Sequence, residues 1–588
     1  MKRSVQLASI LAGTALALAA PLLVPSVAQA CGGNFCDVSG PANTPVMPVD
    51  QTGENIAFHI GDGYVEAHIQ IQIDPDSGAE SFAWLIPVSA VPEFEVGSQL
   101  MFDALLAGSV PSYGMTTTTD FCGEEDEIGE GESGGPLDSG GSEDGWGDEG
   151  GDEGGQDEID VVFQGSVGTF DLAVLDGDSV ASIMQWLGDN GYQQDPNAEP
   201  ILAQYLEEGF LFAAMKLSAD TGLSDIHPIV IRYPGTEACL PLRLTAIAAA
   251  ENMDIRTFFL QEARTVPVNY RHVQVNPLKL DWLDSAANYR EVITMAVDAG
   301  GADGNAFVTE YAGSTAVIDT SAVFSKFWDA DLFVGYVDSP VEVVHILDVQ
   351  GLMSCHPEQS AECNYNHPLV EGILDQFIPV PVDVDAVDFY ACLECYVEDI
   401  DLESWDAAAF SAMLDERVVQ PGLAASTLIR DNAYLTRMYT TISAAEMGED
   451  PMFRVNDTLP DVPATRVAQQ TNHCDGSATV TLPDGREVLF PEQIDMTWPE
   501  FDEQMPWEEE VDQENMAKNA PLISLVDNTE AIDAMLKNHN NSARRKIPGL
   551  PSGGCSCSMD PEDRPPGGAL FGLLALGLFG LVRRRGQA

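Results

Sequence analysis

Four cysteines in the second half of the chain have a spacing from which either a metal site or two disulfides can be built. Seven residues separate Cys355 from Cys363, and Cys392 and Cys395 form a C-x-x-C pair. Four thiolates can hold zinc tetrahedrally, and a C-x-x-C pair is the usual half of such a site. The spacing of the other half is looser than usual. In an oxidising compartment the same residues pair as disulfides, and we favour that interpretation over zinc.

The residue patterns that could support hydrolysis are less specific than the cysteine spacing. His473 and Cys474 are adjacent, so their side chains usually point apart, whereas a general base must reach the thiol in space. Residues 131–135 match the G-x-S-x-G pattern, but they lie in an acidic tract without the strand and helix that a nucleophile elbow requires. We therefore predict no catalytic residues and a non-enzymatic protein. The alternative is a secreted hydrolase whose site is assembled from distant residues.

Acidic loops offer oxygen ligands for calcium. Residues 383–388 carry Asp383, Asp385 and Asp388, and Asp329 and Asp331 form a shorter pair. Calcium prefers several oxygen ligands, but these segments lack the glycine and the terminal glutamate of an EF-hand loop. A solvated charged edge is the commoner explanation. The sequence thus predicts no cofactor beyond weak calcium binding, and a calcium-binding surface protein is a second alternative.

The N-terminus has the features of a secretory signal peptide. Lys2-Arg3 is followed by an apolar run over residues 7–24, and Ala28 and Ala30 satisfy the small-x-small cleavage rule. The mature chain would then begin at Cys31. Ala28 stands where a lipobox usually has leucine, so we favour a disulfide-bonded Cys31 over a lipidated one.

The C-terminus has the features of a membrane anchor. An apolar run of 14 residues, 569–582, precedes Arg583-Arg584-Arg585. A full span needs about 20 residues, so the run is short. The arginines would stay cytoplasmic, which leaves the body outside. We expect the protein to contact the membrane through this helix or through a lipid.

The net charge excludes nucleic-acid-binding proteins, and the number of cysteines requires that one of them is not in an internal disulfide. The formal net charge of −68 repels nucleic acid, so we expect no nucleic-acid partner. The chain has 11 cysteines, nine of them outside the C-terminal pair Cys555 and Cys557. Cys31 and Cys36 join the four cysteines above as disulfide candidates. Because nine is odd, one cysteine must stay free, carry a lipid, or pair with the tail or another chain.

Periodicity indicates a sheet-rich fold. Apolar and polar residues alternate through Tyr64–Ile73, which predicts a strand with His68 on the exposed face. Residues 242–248 also have a strand pattern, 478–490 a hairpin pattern, and 491–526 the composition of a loop. Sixteen Asp and Glu without any Lys or Arg predict a disordered insert at 123–160.

Together these patterns predict an α+β protein of mostly antiparallel sheet with packed helices, in two lobes. The predicted segments are the signal peptide 1–30, a first lobe of 31–122 and 161–330 interrupted by the insert 123–160, a more helical lobe 331–490, an acidic linker with a short helix 491–552, and the tail 553–588 with its hydrophobic helix.

Several blocks in order resemble a known bacterial family. They are residues 31–36 (CGGNFC), 48–51 (PVDQ), 82–88 (FAWLIPV), 237–244 (EACLPLRL) and 435–441 (LTRMYTT). They resemble domain-of-unknown-function family 2330. The resemblance implies an exported bacterial protein and supplies no catalytic residue.

The tail resembles a second known element. Residues 554–557 (GCSC), the apolar run and the final arginines are similar to the MYXO-CTERM sorting signal. The resemblance implies processing near Cys555 or Cys557 by a dedicated machinery. The protein would then reside at the outer membrane or cell surface, either retained there or released.

Overall fold

The computed structural model describes residues 34–36, 51–73, 82–122, 160–177, 179–190, 198–218, 226–247, 249–357, 360, 362–515, 517 and 519–547. The predicted signal peptide, residues 123–159 of the predicted acidic insert and the predicted tail, with Ala28, Ala30, Cys31, Cys555 and Cys557, lie outside these residues. Cys36 ends a described strand, but its side chain is not described.

Within these ranges the strands are, in chain order, β1 Asn34–Cys36, β2 Gln51–Ile60, β3 Tyr64–Ile73, β4 Phe82–Val88, β5 Glu93–Val96, β6 Ser112–Thr119, β7 Asp160–Val167, β8 Phe170–Asp176, β9 Leu211–Leu217, β10 Ile229–Pro234, β11 Ala238–Cys239, β12 Ala249–Gln261, β13 Thr265–Pro267, β14 Arg271–Val275, β15 Ala306–Ser314, β16 Met353–Ser354, β17 Asn364–Tyr365, β18 Tyr434–Ile442, β19 Met452–Val455, β20 Thr465–Asn472, β21 Ala478–Thr481, β22 Glu487–Phe490, β23 Glu508–Gln513 and β24 Ile523–Asp527.

The α-helices in the same ranges are α1 Gln99–Ser109, α2 Val180–Asp189, α3 Ala198–Glu207, α4 Leu242–Thr245, α5 Tyr289–Val297, α6 Val343–Val349, α7 Leu369–Phe377, α8 Ala386–Ala391, α9 Ala407–Leu414, α10 Gln420–Asp431 and α11 Thr529–Arg544. Short 3-10 turns include Ala330–Gly335 and Leu393–Tyr396, and a π turn at Asp415–Val419 joins α9 to α10.

Two sheets of unequal width form the framework. The ten-stranded sheet has the order β24-β23-β14-β15-β18-β12-β2-β3-β10-β5, and the five-stranded sheet has the order β1-β4-β9-β8-β7. Within these two sheets, pairing is antiparallel except between β12 and β2 and between β14 and β15. A four-stranded sheet, β22-β21-β20-β6, contains the predicted hairpin, whose turn is closed by Gly485 at a φ of +89°.

The main core lies between these two sheets. Ile56 and Phe58 of β2 belong to the same buried cluster as Ile86 of β4 and Val174 of β8. Alternate residues of a strand face opposite sides of a sheet, so the other faces need cover of their own. Helices α2 and α3 cover the outer face of the five-stranded sheet, and α1 and α10 cover the outer face of β2 and β12.

A separate helical unit covers residues 330–419, from the 3-10 turn at Ala330 to the π turn before α10. The sequence-based lobe of 331–490 is larger, and the structure divides it differently. Strand β18 lies in the middle of the ten-stranded sheet, between β15 and β12. The chain therefore leaves the sheet, builds the helical unit and returns to the centre of the sheet.

A buried ion pair involves β18, the strand by which the chain re-enters the sheet. Arg437 of β18 donates from Nε to Glu310 of β15, and their side chains are 4% and 2% exposed. Arg437 Nη1 also donates to the Leu106 carbonyl of α1, at 3.1 Å, and the Tyr289 hydroxyl donates to Glu310, at 2.9 Å. These bonds satisfy the desolvated charges and connect two strands with two helices.

The prediction that His68 faces solvent is wrong. His68 is 3% exposed and its Nε2 hydrogen-bonds Glu66, at 2.9 Å. Its partner on the neighbouring strand is Ala57, which packs in one cluster with Met101 and Phe102 of α1. Alternation correctly predicted the strand and its two faces, but it could not show that a helix covers the polar one.

Two further segments differ from their sequence patterns. Residues 242–245 form helix α4, not a strand, because Leu242 and Leu244 enter two different buried clusters after Pro241 starts the turn. Residues 491–526 include β23 and β24 at the sheet edge. Edge strands accept charged side chains, and Val511 is the buried residue of the acidic strand β23.

None of the described helices combines the length and the apolar composition required to cross a bilayer. The apolar run 569–582 lies outside the described residues.

A buried carboxyl makes the stability of the sheet depend on pH. Glu54 shares its face of β2 with Ile56 and is 3% exposed, and its Oε2 meets no hydrogen-bond partner among the described residues. Burial raises the pKa of Glu54 from 4.5 to about 8. Between these values the unfolded chain binds fewer protons than the native one, so stability falls as pH rises.

We expect Glu54→Gln to stabilise the protein progressively from pH 4.5 to 8, at about 1.4 kcal/mol per unit of pKa difference. The two proteins should be equally stable near pH 4. Urea unfolding across this range measures the effect, with Glu251→Gln at an exposed position of β12 as the control. A constant difference between Glu54→Gln and the parent at all pH values would contradict the assignment.

Candidate functional site

The four cysteines of the helical unit lie together as two disulfides. Cys355 is bonded to Cys363, and Cys392 is bonded to Cys395. Cys355, Cys392, Cys395 and His356 line one open cavity of about 480 Å³. Sulfurs in disulfides are not thiolate ligands, and in the described part of the chain no group of three or more His, Cys, Asp or Glu could hold a metal ion. A zinc site here would require a reduced form.

His367 has a structural environment apart from that cavity. Its side chain is buried, its Nδ1 accepts a hydrogen bond from the Leu369 amide at 3.3 Å, and Trp328 packs edge-on against its ring. Burial lowers the pKa of His367 to about 4, so the ring is neutral at physiological pH. These contacts fix the start of α7.

Cys474, the thiol beside His473, is bonded to Cys122. The pairing of β6 with β20 ends at Thr119 and Asn472, and the disulfide joins the chain just beyond both ends. His473 hydrogen-bonds Asp120 through Nδ1, at 2.7 Å, and Thr479 through Nε2, at 2.8 Å. The arrangement leaves no thiol for nucleophilic chemistry at this position.

The acidic loops have local structural partners. Asp385 caps α8, because its Oδ1 accepts from the amides of Val387 and Asp388 at 3.0 and 3.4 Å. Asp329 accepts from the Asp331 amide at 3.1 Å. Such Asx contacts satisfy the free amides at the start of a helical turn, which explains why aspartate occurs there.

A second cavity, of about 300 Å³, lies between the two large sheets and is lined by strands of both. We call it the inter-sheet cavity. Aliphatic and aromatic side chains form most of its wall, and Cys239 lies at one end. The lining comes from β2, β3, β4, β10 and the turns around them: Ile56, Phe58, Ala67, Ile69, Ile86, Val88, Phe210, Ile231, Tyr233, Leu240 and Met452.

A closed polar network forms the end of the cavity near Cys239. The Tyr205 hydroxyl donates to both carboxylate oxygens of Asp450, at 3.0 and 2.8 Å. Arg243 donates from Nε to Asp450 at 2.9 Å and from its two terminal nitrogens to Glu208 at 2.8 and 2.7 Å. Its guanidinium also stacks 4.1 Å from the centre of the Tyr205 ring. The network is rigid because each charged group has several partners.

The thiol and the two phenol groups at this cavity stay in their neutral forms. Burial, reinforced by the charge of Asp450, raises the pKa of Cys239 to about 12. Burial likewise raises the pKa of Tyr205 and of Tyr233 far above the usual range. A thiol is a nucleophile only as its thiolate. The geometry therefore suits non-covalent binding of a small molecule, and it does not suit nucleophilic catalysis.

Sequence reasoning did not find this site. Its residues come from five separate parts of the chain, between residues 56 and 452, and each looks like an ordinary core or turn position. The signal that the sequence did contain was the odd number of cysteines. Cys239 is the free cysteine among those described, with an intermediate exposure.

Comparison with known proteins identifies a family but no activity. A family model described as an uncharacterized protein conserved in bacteria (DUF2330) matches residues 27–343. No curated protein matches the chain. The crystal structure of baculovirus P35 is similar over 39% of this chain and 75% of its own, with 11% identity and a TM-score of 0.20. A similarity of that size supports no argument about fold or function.

The high pKa of Cys239 predicts unusual alkylation kinetics. An ordinary cysteine approaches its maximum rate above about pH 9, because its pKa is about 8.5. We expect the rate of Cys239 with iodoacetamide to keep rising, about tenfold per pH unit, from pH 7 to 10. Mass spectrometry of the tryptic peptide Tyr233–Arg243 follows this one cysteine. The urea-denatured protein is the control, and a plateau below pH 9.5 in the native protein would refute the prediction.

Proposed function

We propose, from the premise that this chain belongs to the DUF2330 family of uncharacterized proteins conserved in bacteria, that it is an exported protein of the cell envelope, anchored at the surface, with a non-catalytic body. The observation that carries the proposal is the Cys122–Cys474 disulfide, which joins residues 352 positions apart. In reducing compartments such thiols stay reduced, whereas exported proteins retain disulfides.

The other cysteines support the same compartment. Six of the cysteines with described side chains form three disulfides, and the remaining one, Cys239, lines the inter-sheet cavity. The pattern at both ends of the sequence agrees, with an export signal before Cys31 and an anchor after Cys557. Partners of the protein would then be the membrane, reached through the C-terminal helix or a lipid, and the machinery that exports the chain and processes the tail.

A non-catalytic body is supported by the state of its nucleophiles. Cys474 is in a disulfide, and the thiol of Cys239 is protonated at physiological pH because its pKa is about 12. The strong negative charge has a simple role in this setting, since like-charged surfaces repel each other and stay soluble.

Cell fractionation with mass spectrometry of the intact chain tests the proposal. In its own bacterium the protein should occur in the outer-membrane or extracellular fraction, begin at Cys31, and react with a thiol reagent at its paired cysteines only after reduction. The same measurement gives the C-terminal end and the lipid state of Cys31, Cys555 and Cys557. Full-length protein with reduced thiols in the cytosol would overturn the proposal.

The disulfides should also differ in their contribution to stability. A crosslink reduces the conformational entropy of the unfolded chain, and the effect grows with the length of the closed loop. We expect the double variant Cys122→Ser/Cys474→Ser to lose about 3–5 kcal/mol and to melt at a lower temperature. The matched control, Cys392→Ser/Cys395→Ser, removes a disulfide whose cysteines are three residues apart, so it should lose less stability. Equal melting temperatures of the two double variants would contradict this ranking.

A further inference from the structure

We propose that the inter-sheet cavity is a binding site for a small uncharged amphiphile, an alcohol or a phenol with a compact apolar body. The apolar body would lie between the sheets, and the hydroxyl would lie at the end formed by Cys239, Glu237 and Asp450. The inference goes beyond the envelope location, since a protein in any compartment could use such a site.

The size and the wall of the cavity limit the ligand. About 300 Å³ accommodates roughly ten non-hydrogen atoms, if each takes about the 30 Å³ of a water molecule. Ile56 and Phe58 form one wall and Ile86 and Val88 the facing one, so both sheets contact the same ligand. Ala67 is a small residue in the wall formed by the ten-stranded sheet, and its side chain leaves part of this space open.

The cavity opens to solvent. Met452 is 37% exposed, and Ser89, Pro234 and Thr236 are exposed lining residues. A pocket that is apolar inside, polar at one end and open on one side has the usual form of a small-molecule site. A ligand can therefore enter without separation of the sheets.

The charges at the polar end exclude an anionic ligand. Arg243 is the cation nearest to this end, and its guanidinium is fully engaged by Asp450 and Glu208. The carboxylates of Glu237 and Asp450 remain at the cavity itself. A carboxylate head group would meet like charge in a poorly solvated site, whereas a hydroxyl can donate a hydrogen bond to a carboxylate or a carbonyl.

Displacement of a fluorescent probe tests both the site and the ligand class. 1-Naphthylamine is uncharged, apolar and close to the size that the cavity accommodates, and its fluorescence should shift to shorter wavelength when it binds to the full-length mature protein. We expect 1-octanol to displace it, and octanoate at pH 7.5 to do so at least ten times more weakly. Equal displacement by the two compounds would overturn the assignment of ligand class.

Substitutions locate the binding. Ala67→Leu fills the cavity and should weaken the affinity for the probe and for 1-octanol at least tenfold. Ala408→Leu, on the exposed face of α9, is the matched control and should change neither. Circular dichroism and the melting temperature show whether each variant folds. A folded Ala67→Leu protein with unchanged affinity would place the binding elsewhere and refute the proposal.

A measurement on the unchanged protein makes the test independent of folding defects. Cys239 lines the cavity, so saturating 1-octanol should slow its alkylation at least fivefold, as followed on the peptide Tyr233–Arg243. Octanoate at the same concentration is the control. Alkylation that 1-octanol leaves unchanged would show that no such ligand occupies the cavity. A rate that decreases as the protein concentration rises, without added ligand, would show that a second copy covers the cavity, and it would overturn the proposal.

Discussion

The width of the ten-stranded sheet is the constraint on which the rest of the structure depends. Both of its faces carry apolar side chains in its central strands, and such faces are stable only when other elements cover them. The five-stranded sheet covers part of one face, and α1 and α10 cover part of the other. Between Ile86 and Val88 of β4 and Ile56 and Phe58 of β2, the two sheets leave a space unfilled, and this space is the inter-sheet cavity.

Buried arginine–glutamate pairs connect strands with distant segments of the chain. A chain with few basic residues uses arginine where strands from distant parts of the sequence meet. Arg437 joins β18 to β15 through Glu310, and Arg454 of β19 contacts Glu514 beyond β23. Removal of one partner from such a pair leaves an uncompensated buried charge and costs about 3–5 kcal/mol. These pairs therefore connect segments that are far apart in the sequence, beside the apolar burial that drives the folding.

The sequence predicted local structure better than long-range contacts. Alternation over Tyr64–Ile73 and the hairpin pattern over 478–490 correspond to observed elements, because the period of buried residues reflects the backbone conformation. Burial of His68 and pairing of Cys122 with Cys474 depend on segments far away in the chain, so no local pattern contains them. The inter-sheet cavity could not be predicted for a related reason: it is a space between elements, and its lining residues are those of an ordinary core.

The Cys122–Cys474 bond has a consequence for the integrity of the molecule. Cys122 is the last residue before the acidic tract, and its partner lies 352 positions further on. A protease that cuts the backbone anywhere between them, the acidic tract included, produces two fragments that remain one covalent molecule. Strand β6 then stays beside β20 on the other fragment. In an environment rich in secreted proteases, this crosslink lets a nicked chain keep its shape.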